Sequence, residues 1–177
     1  MKKLFKIIFN ILIIIGINFS AFAFSTNWKI SSDGINDIIK MRISSATEGV
    51  VGLYNIPISL EIVTSPGWKI YWRNPGDSGL PTEITFDGSQ NLKNFNTLWP
   101  APFRFSTFGI DTFGYEGKII LPINLIPERV NEEINLISQI SLLACNEICI
   151  PFKQDFVLNI PNKPDAPNLN TRERAKY

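Results

Sequence analysis

The sequence predicts an all-β fold, an antiparallel sandwich, on three observations. Apolar residues alternate with period two over most of the chain, and no long stretch keeps a 3.6-residue period. Turn signals built on Gly and Pro separate these runs at intervals of roughly 10–20 residues, the spacing of a meandering β protein. The composition, 45% hydrophobic and 12% aromatic against 19% charged, provides one globular core and excludes a disordered chain. At 177 residues the chain is long enough for one such core and short for two.

At the N-terminus, Lys2, Lys3 and Lys6 precede an almost wholly apolar run from Ile7 to Phe19, and Ala21-Phe22-Ala23 follows with a small-x-small pattern. The run is about 13 residues, short of the roughly 20 that span a bilayer. Residues 1–23 therefore read as a cleaved export signal, with an uncleaved anchor as the alternative. Cleavage takes away three lysines and no acid, moving the formal charge from +1 to −2. The mature domain is expected over residues 24–161, outside the cytoplasm, where a disulfide persists.

A first strand is expected around Lys40 to Ser45, although Ile35 to Met41 could instead form a helical turn. Ile56, Ile58, Leu60 and Ile62 share one strand face, with Ser59 and Glu61 on the other. Trp68, Ile70 and Trp72 repeat the pattern against Lys69, Tyr71 and Arg73, and the two tryptophans read as core anchors. Ile84 and Phe86 mark a short strand. Ile119, Leu121, Ile123 and Leu125 alternate again, as do Ile134, Leu136, Ile140 and Leu142, and then Phe156, Leu158 and Ile160 with Phe152. Turns are expected at Ser65-Pro66-Gly67, Asn74-Pro75-Gly76-Asp77, Asp87-Gly88 and Tyr115-Glu116-Gly117. The stretch from Asn94 to Gly114, rich in Phe, Pro and Gly, reads as a long loop, a feature that usually covers something or carries function. Residues 162–177 are polar, carry two prolines and read as a tail.

Composition narrows the chemistry further. The chain has no histidine, which excludes Ser-His-Asp and Cys-His catalysis, histidine-ligated zinc or haem, and a histidine pH switch. No run of like charge points to nucleic acid. Cys145 and Cys149 are the only cysteines, and two thiols without histidine make a poor zinc site, so neither metal nor cofactor is expected. On a straight strand their Cα atoms would stand about 13 Å apart, so a bridge between them requires a tight turn, for which Asn146 and Glu147 are suited. Two readings of the pair stay open. One is a stabilising bridge in an exported domain. The other is exchange: closing so short a loop removes only about 2 kcal/mol of unfolded-state entropy, against about 4 for a 50-residue loop, and a bridge at a loop tip is accessible to a foreign thiolate. Glu147, between the sulfurs, disfavours a thiolate by like-charge repulsion.

The string Tyr71-Trp72-Arg73-Asn74-Pro75-Gly76-Asp77-Ser78-Gly79-Leu80-Pro81 resembles the N-terminal periplasmic domain of the thiol:disulfide interchange protein DsbD, in its ScsB-like branch. Trp99-Pro100-Ala101-Pro102, Phe113-Gly114-Tyr115 and Leu143-Ala144-Cys145-Asn146-Glu147-Ile148-Cys149-Ile150-Pro151 continue the likeness, which extends over roughly Trp28 to Ala166. The resemblance implies an immunoglobulin-like sandwich in the periplasm whose Cys145 and Cys149 cycle between dithiol and disulfide. It also implies a membrane-bound thiol reductase of the DsbD transmembrane type as electron donor and thioredoxin-fold envelope proteins as acceptors. An aromatic cap over the cysteines belongs to the same pattern, with Phe103, Phe105, Phe108 and Phe113 as candidates. The sequence has no transmembrane block or thioredoxin-like domain of its own. It is therefore expected to be a module serving a separate reductase; a truncated remnant and a non-catalytic binding module with a structural disulfide are the alternatives.

Overall fold

The computed structural model describes residues 24–164; the export signal expected at 1–23 and the tail beyond Pro164 lie outside these residues. Eleven strands form two antiparallel sheets, and no helix occurs among the described residues. The first sheet runs β1 (Lys29–Ser32), β2 (Asp37–Ser45), β3 (Ile56–Thr64), β9 (Lys118–Pro127), β6 (Leu92–Thr97). The second runs β11 (Cys149–Ile160), β10 (Ile134–Cys145), β4 (Lys69–Gly76), β8 (Ile110–Glu116), β7 (Phe103–Thr107), with the short β5 (Glu83–Thr85) also pairing with β10. The expected sandwich is what forms.

The period-two pattern explains the core. Ile56, Ile58, Leu60 and Ile62 of β3 and Ile119, Leu121, Ile123 and Leu125 of β9 turn inward, facing Ile70, Ile134, Leu136, Ile140 and Phe156 from the other sheet. Alternate side chains point to opposite faces, so each strand contributes one buried row. Trp68 and Trp72 pack half-buried against this core. The segment before β2 is a turn, in which Asp33 Oδ1 accepts from the backbone N–H groups of Ile35 and Asn36, and not a helical turn over 35–41. Two of its backbone hydrogen bonds strengthen the Asp33 carboxylate, whose pKa lies below its ordinary value.

Two expectations are corrected. Asn94 to Gly114 is not a long loop. It contains the end of β6, which pairs with β9, and then a hairpin in which Phe103 to Thr107 pairs with Ile110 to Gly114. The alternation of Phe103 and Phe105 with Arg104 and Ser106 was there to read, but its aromatic face is turned away from the core, so it carried no buried-strand signature. Second, Asn74-Pro75-Gly76-Asp77 is not a plain turn. Pro75 and Gly76 belong to β4, whose register against β8 jumps from Tyr71↔Gly114 to Gly76↔Thr112. The intervening residues bulge out, which accommodates a proline that has no N–H to give. Gly76 rejoins the ladder at φ +90, where a Cβ would stand 2.5 Å from the Asp111 carbonyl oxygen. At the other end, residues 162–164 remain attached, because Val51 N–H donates to the Lys163 carbonyl.

Candidate functional site

Cys145 ends β10 and Cys149 begins β11, directly opposite each other as the last pair of the ladder. They are joined by a disulfide with Cα atoms 4.1 Å apart, closed by a turn in which Asn146 N–H donates to the Ile148 carbonyl at 2.9 Å. The tight turn required by the four-residue spacing is present. The two cysteines differ in environment. Cys145 is 2% exposed, whereas Cys149 is exposed at the sheet edge, beside the 62%-exposed Ile148.

Register shows what surrounds them. Cys145 is opposite Lys69 on β4, and Lys69 is opposite Glu116 on β8. Opposed residues share a face, so Cys149, Cys145, Lys69 and Glu116 form one row across four strands on the outer side of the second sheet. Cys145 and Tyr71 are both buried without joining the core cluster; their cover comes from the outer face. For Tyr71 that cover includes the loop at Gly79 and Thr82, whose hydroxyl donates to the Tyr71 carbonyl at 2.9 Å. Burial pushes the Tyr71 phenol above its ordinary pKa.

Lys69 and Glu116 do not pair with each other. The ammonium lies 4.9 Å from the Phe105 ring centroid and 5.8 Å from that of Tyr71, and donates to Thr112 Oγ1 at 3.2 Å. Glu116 Oε1 instead accepts the backbone N–H of Gly67 at 3.0 Å. Tyr115, one residue back and facing the other way, donates its hydroxyl to the Pro100 carbonyl at 2.7 Å; burial raises its pKa to about 12, with Arg73 opposing. Beyond Cys149, Leu80, Pro81, Leu142, Pro151 and Phe152 line an open apolar groove of about 450 Å³.

The four aromatic candidates separate. Phe103 and Phe105 lie on the cysteine-bearing face, opposite Gly114 and Thr112, while Phe113 faces the other way. Phe108 occupies the hairpin tip at φ +53, fully exposed. Sequence reasoning found the cysteines and missed Lys69, Glu116 and Gly67. The alternation of Trp68-Lys69-Ile70-Tyr71-Trp72 put Lys69 on the outer face, but only the β4–β10 pairing, remote in sequence, brings it beside Cys145.

A cysteine pair closing the last rung of an all-β sandwich coincides with a family match: the family model for the thiol:disulfide interchange protein DsbD, N-terminal, covers residues 53–161. The chain belongs to this DsbD N-terminal family. Among solved structures, the N-terminal periplasmic domain of ScsB from Proteus mirabilis is 28% identical with a TM-score of 0.64, covering 86% of this chain and 57% of that one. The chain thus spans a little over half the length of that domain. The reduced N-terminal domain of DsbD from Neisseria meningitidis is 12% identical with a TM-score of 0.39, covering 71% of this chain and 90% of that one. No curated protein matches. Family and fold together make this DsbD-type domain a thiol–disulfide interchange module in the general sense.

Proposed function

We propose that the chain is an exported periplasmic relay, passing reducing equivalents from a membrane-bound thiol reductase of the DsbD transmembrane type to oxidised thioredoxin-fold envelope proteins. The observation that carries this reading is the asymmetry of the pair, Cys149 exposed at the edge and Cys145 2% exposed behind it. A thiolate at Cys149 attacks the partner's disulfide; a sulfur–sulfur bond forms between Cys149 and the partner as the partner's own bond breaks, and the displaced partner sulfur takes up a proton. Cys145 then loses its proton and attacks the Cys149 sulfur, re-forming the internal disulfide and releasing the second partner thiol. Two electrons and two protons have passed to the partner. The same steps in reverse, with the donor's dithiol, regenerate the module. Cys149 is the entry point because a foreign sulfur must approach along the S–S axis, and burial blocks that approach at Cys145. Phe103 and Phe105, which share the cysteine-bearing face, are the aromatics placed to flank the pair, in preference to Phe108 or Phe113.

The test uses Cys145→Ser and Cys149→Ser, each reduced and incubated with a purified thioredoxin-fold protein carrying a disulfide. Cys145→Ser accumulates a mixed disulfide through Cys149, and Cys149→Ser accumulates far less. Failure of both to trap, together with a reduction potential well below about −300 mV, would mark a structural bridge instead.

A further inference from the structure

The turn that carries the disulfide faces a second turn. Ser65-Pro66-Gly67-Trp68 joins β3 to β4 and is closed by Trp68 N–H donating to the Ser65 carbonyl at 3.0 Å. Gly67 sits in the left-handed region at φ +78, where a Cβ would meet the Asn146 side-chain nitrogen at 3.5 Å. A Cβ there would only just touch the Asn146 amide, so the turn faces that amide across about the width of one carbon, and it is the left-handed φ that calls for glycine. This second turn is anchored from both sheets. On the first, Ser65 Oγ donates to the Asp37 carbonyl at 2.6 Å and Ser65 N–H to the Ile38 carbonyl at 2.8 Å. On the second, Gly67 N–H donates to Glu116 Oε1 at 3.0 Å.

We propose that Glu116 is a positioning residue for the cysteine pair: through the Gly67 amide it holds the Ser65–Trp68 turn against Asn146, and so limits how far Cys145 and Cys149 separate once reduced. The importance of this for relay activity rests on the exchange reading above; the equilibrium it controls does not. When the disulfide is reduced by two glutathione thiols, two electrons and two protons enter the pair and one glutathione disulfide leaves. The freed sulfurs then retreat to van der Waals contact, and the turn relaxes with them. A wall behind Asn146 resists that relaxation and keeps one thiol close to the other, which favours the disulfide. Releasing the wall favours the dithiol.

Two variants separate position from charge. Glu116→Ala removes the acceptor and the carboxylate together; Glu116→Gln keeps an acceptor oxygen and removes only the charge. In a glutathione redox titration of the full chain, Glu116→Ala shifts the equilibrium toward the dithiol by about threefold, the low end of what one lost hydrogen bond does to an equilibrium. Glu116→Gln leaves the equilibrium where it is. Ser65→Ala, which loosens the same turn from the first sheet, shifts it in the same direction as Glu116→Ala. An unchanged equilibrium in both Glu116→Ala and Ser65→Ala overturns the proposal, and so does an equal shift in Glu116→Ala and Glu116→Gln, which would assign the effect to charge. A shift as stated, combined with no mixed disulfide in Cys145→Ser, would leave the positioning role standing and remove the relay.

Discussion

Each sheet carries one cross-strand pair of opposite charges on its outer face, and the two pairs behave differently. On the first sheet Arg42 is opposite Glu61, and the two meet in a bidentate contact at 3.0 and 3.1 Å. Ser44 Oγ donates to the same carboxylate, and the Trp28 ring lies 4.4 Å from the Arg42 guanidinium carbon. Glu61 is 1% exposed although it lies on the outward face of β3. On the second sheet Lys69 is opposite Glu116, yet each turns away, one to a hairpin and the other to a turn. The difference lies in cover. A carboxylate without water has to be satisfied by its neighbour, whereas exposed charges are free to hold other segments in place. The closed pair fastens the sandwich, and the open one arranges the surroundings of the disulfide.

Breaking the closed pair has the largest expected effect. Arg42→Met takes the guanidinium of the bidentate contact away from the buried Glu61 carboxylate, a change expected to cost about 3–5 kcal/mol. Replacing both together, as Arg42→Met with Glu61→Leu, restores most of that loss, since an ion pair taken out of water is worth little more than an apolar pair of similar volume. Urea unfolding of the two variants checks both statements, and a loss below about 1 kcal/mol in Arg42→Met would show that Glu61 is satisfied without the guanidinium. Next in size is the disulfide. By the loop-closure argument, reducing it costs about 2 kcal/mol and leaves both sheets folded. Unfolding curves with and without reductant measure this, with far-ultraviolet circular dichroism reporting whether the strands persist.

Burial acts on a neutral group as well. The Tyr115 phenol has its pKa raised from 10.0 to about 12 in the folded chain, chiefly by burial. The fold favours the protonated phenol, so this contribution is fully present below about pH 10 and is lost as pH rises through about 12. Stability is therefore expected to fall between those values. Tyr115→Phe, which cannot ionise and gives up the bond to the Pro100 carbonyl, flattens that part of the curve at the cost of a lower plateau. Tyr71, also raised by burial, contributes in the same direction and remains in the variant.

The sandwich was legible because its core rows are aliphatic and alternate without interruption, as in β3 and β9. Cys145 and Cys149 were legible because they are the only cysteines and a bridge over so short a spacing requires a tight turn, which is the end of the β10–β11 hairpin. What escaped has a common physical origin. Phe103 and Phe105 alternate in a strand whose aromatic face does not enter the core, so the hydrophobic criterion passes over it. Pro75 and Gly76 look like a turn from residue type, but a bulge needs the same backbone freedom. Lys69, Gly67 and Glu116 reach the disulfide only through pairings between strands far apart in the chain, and a one-residue slip in any of those registers would turn the row away from the cysteines.

The smallest predicted effect is the one that most sharpens the contrast between the two faces. Lys69→Met keeps the aliphatic stem and removes the ammonium from Thr112, Phe105 and Tyr71. A cation beside aromatic rings at a partly exposed site is worth about 0.5–1 kcal/mol, so the urea midpoint moves far less than in Arg42→Met. The hairpin should respond more than the fold as a whole, because β7 is an edge strand, bonded to β8 alone, and Lys69 gives its Phe105 a contact with β4. Amide exchange in β7 and β8 is therefore expected to quicken while exchange in β3 and β9 stays as it was. Equal acceleration in both sheets would mean that Lys69 supports the whole sandwich, as Arg42 does, and that the open face is no more independent of the core than the closed one.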